Sequence, residues 1–264
     1  MQQSTTEFFV EDMTLNGGLY VLFAVPAFLV CWVMLSGRLK HRRIQPLRRA
    51  GPRHFLHDIA YSVLSLIVFG VLDLVILKME EGGLTRLYTD PNALGLAWLI
   101  GSVALLIVLH DAYFYWMHRL VHHRAVYALV HTVHHRSTDP SPFTSFAFHP
   151  LEAVLENLFP VLVVLVLPLH FWALLAWQVF QQAFNVIGHL GYEPYPRWWL
   201  RAPGLRWKTT STHHNLHHEK FVGNFGLYFT WWDRLMGTEL PQYEARFLEA
   251  TQPAPESSVN RATT

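Results

Sequence analysis

Nine of the seventeen histidines fall at spacings that suit metal ligation: His118-x-x-x-His122, His131-x-x-His134-His135, a lone His189, and His214-x-x-His217-His218. Imidazole is the commonest metal-ligating side chain near neutral pH. Residues three or four apart share one face of a helix, so each group is predicted to present its rings together from a helical face. A tetrahedral ion takes about four ligands. Nine rings from two distant stretches suffice for two ions with open positions, and they predict a two-metal, histidine-only centre.

The other histidines read differently. His41, His54 and His57 sit among arginines and are expected in solvent. His123 and His213 differ in helical phase from their neighbours by about 100°, which suits exposure or a supporting contact better than ligation. His170 is expected to cap a helix or lie at the interface, and the spacing assigns no role to His110. Three carboxylates next to the histidine groups, Asp111, Glu152 and Asp233, are candidates to orient rings. The competing reading gives each a plain salt bridge with a neighbour such as Arg119 or Arg234.

Hydrophobic residues make up 52% of the chain and charged residues 15%, a balance suited to a polytopic membrane protein. A net charge of +1 argues for no nucleic-acid partner. The single cysteine, Cys31, excludes a disulfide framework and a cysteine metal site. The first residues, Met1 to Asp12, lack a basic region, so the first apolar run is expected to stay as a span.

Apolar runs at Leu19–Leu35, Ile59–Leu77 and Ala93–Leu109 approach the roughly 20 residues that cross a hydrocarbon core. The loop Gly37–His57, with Arg38, Lys40, Arg42, Arg43, Arg48, Arg49 and Arg53, is cytoplasmic by the positive-inside rule. The acidic N-terminus and the loop Lys78–Pro91 then lie outside. Ala153–Ile187 must cross an even number of times if both histidine stretches are to meet. A hairpin turning at Pro168-Leu169-His170, spanning or re-entrant, satisfies this. Tyr192 to Trp199 reads as an interfacial segment. Phe143, Phe146, Phe148, Trp231 and Trp232 line a substrate channel or pack at the membrane interface.

The expected architecture is all-α. It has about four to five spanning or re-entrant helices and a cytoplasmic histidine-rich helical cap holding the dimetal centre. Residues 1–104 supply transmembrane helices and the basic loop, 105–240 the catalytic domain, and 241–264 a disordered tail.

Tyr115-Trp116-Met117-His118-Arg119-Leu120-Val121-His122 followed by His131-Thr132-Val133-His134-His135 resembles the fatty acid hydroxylase / sterol desaturase superfamily. So do Phe148-His149-Pro150-Leu151-Glu152 and the ending His214-Asn215-Leu216-His217-His218, Asn224-Phe225-Gly226 and Trp232-Asp233-Arg234-Leu235-Met236-Gly237-Thr238. The resemblance covers Leu105 to Thr238. It implies a membrane-bound enzyme with a non-haem di-iron centre that spends O2 and donor electrons on hydroxylating or desaturating a sterol-like or fatty acyl lipid. By that resemblance His118, His122, His131, His134, His135, His189, His214, His217 and His218 are the ligand positions, with zinc able to substitute for iron. Asp111, His149, Asn185, His213 and Asp233 are supporting candidates, Asn185 standing where members often carry a further histidine. No His-Pro-Gly-Gly haem motif is present, so a separate cytochrome b5 or ferredoxin with its reductase is the expected donor.

A carotenoid or alkyl-glycerol oxygenase would use the same chemistry. A zinc-binding or metal-transport membrane protein is the alternative from another class. Against transport, Asp73 is the one carboxylate well inside a predicted span, where an ion path needs polar residues. Metal-assisted hydrolysis would want a His-Glu-x-x-His, which is absent.

Overall fold

Ser4 starts the first helix: its hydroxyl accepts from the Glu7 amide at 3.1 Å while the Glu7 carboxylate takes the Ser4 amide at 2.9 Å, a reciprocal cap that satisfies two otherwise orphan donors. The computed structural model describes residues 4–48 and 50–253. Helix α1 (Thr5–Phe28) contains Pro26, which lacks a backbone N–H, and passes into a π-helical turn, Leu29–Met34. Proline at the first position opens α2 (Pro52–Glu81), and α3 (Gly95–Val121) follows. The stretches Thr5–Met34, Pro52–Glu81 and Gly95–Val121 are 30, 30 and 27 residues long and apolar enough to cross a membrane. At 1.5 Å per residue each exceeds the ~30 Å hydrocarbon core. Their outward faces carry exposed Val21, Leu22, Val63, Ile67, Ile100 and Val108, as lipid contact requires.

The expected hairpin is α5 (Pro150–Glu156) and α6 (Leu158–Val166) going out and α7 (Phe171–Gly188) coming back. Its turn meets the α2–α3 connection: Tyr88 N donates to Leu169 O at 3.1 Å and Arg86 N to Val164 O at 2.8 Å. Both arms therefore run the depth of the bundle, and the two histidine stretches emerge at one end. A core of Tyr20, Ala24, Leu66, Phe69, Phe148, Ala153 and Val186 joins α1 and α2 to the hairpin.

The cap is built from α4 (Arg124–Val130), short 3-10 turns, α8 (Ser211–Lys220), α9 (Trp231–Leu235) and α10 (Tyr243–Ala250). Among the described residues there is no β-strand, and three isolated bridges tie loops together.

Three expectations need correction. The basic loop is part of the cap: Arg43 is buried, pairs with Asp139 and stacks over Trp32 at 4.0 Å, while Arg42 donates to Tyr195 O at 2.7 Å. His57 is half-buried, 3.2 Å from Asp58. Within the tail expected to be disordered, Tyr243–Ala250 is helical, because Tyr243 and Phe247 bury against Leu216; residues 254–264 of that tail lie outside the described residues.

Candidate metal centre

The nine histidines converge as two groups. His118, His122, His131, His135 and His217 form one, and His134, His189, His214 and His218 the other; within each group the candidate ligand atoms lie within 4.8 Å of one another. Five elements deliver them. His118 lies on the last turn of α3 and His122 caps it; His131 caps α4, and His189 caps α7. His214, His217 and His218 share α8, as their spacing predicted. The middle box departs from prediction: after His131 the chain leaves the helix and carries His134 and His135 on a 3-10 turn, His134–Arg136. His135 then joins the first group and His134 the second, just as neighbouring His217 and His218 divide between the groups from within α8.

The ring orientations define the chemistry. The Nδ1 atoms of His118, His217, His218 and His189 lie 2.9, 2.8, 3.0 and 2.7 Å from the carbonyl oxygens of Phe225, Gly223, Ser137 and Asn185. A carbonyl only accepts, so each Nδ1 carries the proton and each Nε2 presents a lone pair. Yet His218 Nε2 stands 3.2 Å from His189 Nε2, a contact with no proton to share. His217 Nε2 is 3.0 Å from both His122 and His135 Nε2, and His214 Nε2 is 3.0 Å from His189 Nε2. Two nitrogens each ~2.1 Å from one ion stand ~3.0 Å apart at a right angle and ~3.4 Å apart at the tetrahedral angle. The donor set therefore fits a metal ion in each group.

Burial keeps these rings neutral, the state that binds metal. His131, His134, His135, His214, His217 and His218 are pushed well below the usual histidine range, first by burial and then by one another. Burial, with the neighbouring His118, lowers His122 to about 2. For His189 burial outweighs the Asn185 carbonyl and brings the ring to about 4.

Glu152 supports the site directly: its Oε1 is 2.5 Å from His131 Nδ1, and both side chains are fully buried.

Asp111 and Asp233 touch no histidine of either group. Asp111 accepts from the amides of Tyr228 and Phe229 at 2.9 and 3.1 Å and from the Trp231 indole at 2.5 Å. Asp233 takes the amides of Phe225 and Gly226, both at 2.8 Å, and the Thr238 hydroxyl at 2.7 Å. Burial would raise the Asp233 carboxyl, but these bonds and His213, 3.5 Å away, bring it below its usual value. Together the two aspartates pin the loop whose carbonyls hold His118 and His217. The alternative salt bridges are not formed: Arg234 pairs with Glu239, and Arg119 reaches the Tyr115 hydroxyl. Asn185 bonds Ser145 O at 2.8 Å through its side chain and steadies His189 through its backbone. His149 caps α5 by accepting the Leu151 amide and joins neither group.

Two supports were not singled out from sequence. Asp58 on α2 accepts the hydroxyls of Ser137 and Thr144, both at 2.6 Å, fixing the segment that offers Ser137 O to His218. Gly223 has φ +69°, and a Cβ there would collide with Thr238 O, so the carbonyl that orients His217 depends on glycine.

The fatty acid hydroxylase family model matches residues 103–238, just over half of the chain. Among curated proteins, the chain is 30% identical over 228 residues to lathosterol oxidase of Homo sapiens, covering 84% of this chain and 72% of that one. It is 29% identical over 225 residues to a Delta(7)-sterol 5(6)-desaturase of Gibberella zeae, covering 84% and 65%. Methylsterol monooxygenase 1 of Rattus norvegicus is 29% identical over 234 residues, covering 86% and 75%. No solved structure matches the chain. The class defined by this fold and these relatives is that of membrane-bound oxidoreductases acting on lipids. The chain belongs to the fatty acid hydroxylase family.

Proposed function

We propose that this protein is a non-haem di-iron oxidoreductase that uses O2 and electrons from a separate donor to desaturate or hydroxylate a sterol-like lipid. His118, His122, His131, His135 and His217 hold one iron, and His134, His189, His214 and His218 the other. The observation that carries this reading is the set of Nε2 lone pairs facing one another at 3.0–3.3 Å while Nδ1–H groups are anchored outward. Such an iron pair supplies O2 activation and cleavage of an unactivated C–H bond.

The chain's own groups supply the rest. The Phe225, Gly223, Ser137 and Asn185 carbonyls and the Glu152 carboxylate fix ring tautomer and direction, as the outer contacts of metal-bound histidines do. Aromatic rings limit water: Phe148 lies 5.0 Å from the His134 ring, Tyr127 5.4 Å from His122 and Phe221 5.2 Å from His135. The sterol preference over an acyl chain rests on the three relatives above, whose names specify sterol substrates. The centre faces the cytoplasm by the charge of the Arg38–Arg53 loop, where a soluble or tail-anchored donor of the cytochrome b5 or ferredoxin type can reach it.

The test is iron content per chain on gently purified protein, with donor- and O2-dependent oxidation of a sterol extract. About two irons and a new sterol product are expected. Two zincs and no O2 uptake after iron reconstitution would overturn the redox assignment.

A further inference from the structure

A cavity of about 390 Å³ opens between α1, α2, α6 and α7, within the size range of small-ligand pockets. Phe146 and Phe148 close one end, and Phe148 packs on His134, so that end abuts the four-histidine group. Along α2 the wall runs from Phe69 to Glu80, about 16 Å of helix.

Its walls are apolar except for an unusual set of polar groups inside the spans. Asn16 on α1 is the hub: its amide nitrogen donates to Asp12 Oδ1 at 3.0 Å and to Asp73 Oδ2 at 3.4 Å, and its oxygen accepts from Gln178 on α7. Asn157 reaches the other Asp73 oxygen at 3.5 Å. Asp12 and Asp73 each lie about two turns from the helix end nearest the α2–α3 connection. Ionisable groups at such depth are costly and mark function. Glu156 is also on the wall. Five carboxylates (Glu11, Asp12, Asp73, Glu80 and Glu156) line the cavity, and no lysine or arginine does.

We propose that this cavity selects its lipid by head charge. Asp12, Asn16, Asp73 and Gln178, with the Glu156 carboxyl on the wall, accept a hydroxyl or ammonium head and reject sulfate, phosphate or carboxylate heads. An anion brought here meets a wall that carries carboxylates and no lysine or arginine in a low-dielectric site, whereas a donor head finds oxygen acceptors. The inference deepens the lipid-oxidoreductase reading by naming what the substrate's polar end must be, and it rests on that reading only for the cavity's purpose.

The test uses the full chain in nanodiscs and direct binding of probes with matched bodies: cholesterol against cholesterol sulfate, and hexadecanol or hexadecylamine against palmitate. For whichever body binds, the hydroxyl or amine form is expected to bind at least about tenfold tighter than the anionic form. Asn16→Leu should reduce that preference to below about threefold, and Gln178→Met gives a second reading if Asn16→Leu does not accumulate. Equal binding of anionic forms, no binding of any probe, or an unchanged preference in both variants overturns the proposal. Head selectivity in the straight-chain pair alone, or in a protein that never turns over sterol, would leave it standing and remove the sterol oxidoreductase reading instead.

Discussion

Five of the nine histidines have one nitrogen turned toward their group and the other tied to a carbonyl or to Glu152. His134→Ala and His217→Ala each remove a ring from a different group, and either is expected to abolish turnover and lower bound metal while the chain still inserts; metal analysis on membrane-extracted protein decides it. Glu152→Gln keeps the volume but loses the anionic partner of His131, and a 10–100-fold fall in metal affinity or activity is the expected size for such an outer contact. The buried rings also set a pH dependence. Their folded values lie below the unfolded value of 6.5, with His122 at about 2 and His189 at about 4. As pH falls below 6.5 the unfolded chain binds protons that the folded chain refuses, so stability is present above that point and lost below it. Each such ring contributes about 1.4 kcal/mol per pH unit there. The melting midpoint should fall between pH 7.5 and 5.5, and a flat profile would contradict the neutral assignment. The ligand-like spacing was readable at this scale. The carbonyls of Gly223, Phe225, Ser137 and Asn185 were not, because main-chain groups leave no residue-type signal and meet their rings only through folding.

At the scale of elements, α2 does more than span. Asp58 near its N-terminal end binds two hydroxyls of the segment after the middle box and lies beside His57. Asp58→Ala would leave those buried hydroxyls without acceptors, at a cost of about 3 kcal/mol, and would loosen Ser137 from His218. A lower melting midpoint with preferential metal loss from the four-histidine group is the expected pattern; unchanged metal content would limit Asp58 to a packing role. The first three spans were legible because their apolar runs exceed any soluble helix face. The return arm α7 was harder to see, since Gln178 and Gln181 turn toward a cavity and Gln182 and Asn185 are buried. The middle box misled because an i, i+3, i+4 spacing reads as helix: the same spacing is helical in α8, but here His131 ends α4 and His134 and His135 sit on a 3-10 turn.

For the whole molecule, the hairpin joins both histidine stretches at one end of the bundle and leaves the α2–α3 connection at the other. In a Cys31→Ser background, a cysteine at Leu84 and one at Arg201, both exposed positions, should react with an impermeant maleimide from opposite sides of sealed vesicles. Reaction from one side would break the topology. The basic loop shows what charge counting leaves out: its arginines pair with Asp139 and the Glu193–Tyr195 backbone, contacts between segments far apart in sequence.

Both groups draw on α8: His217 completes one, while His214 and His218 complete the other. On the proposed ligand set, a chain emerging from the ribosome has placed all its spans in the bilayer before either ion has a full set of donors. Metallation would thus follow insertion, and a chain halted before residue 214 would be a membrane-resident protein lacking α8's donors to both groups: it would insert, yet compete poorly for iron.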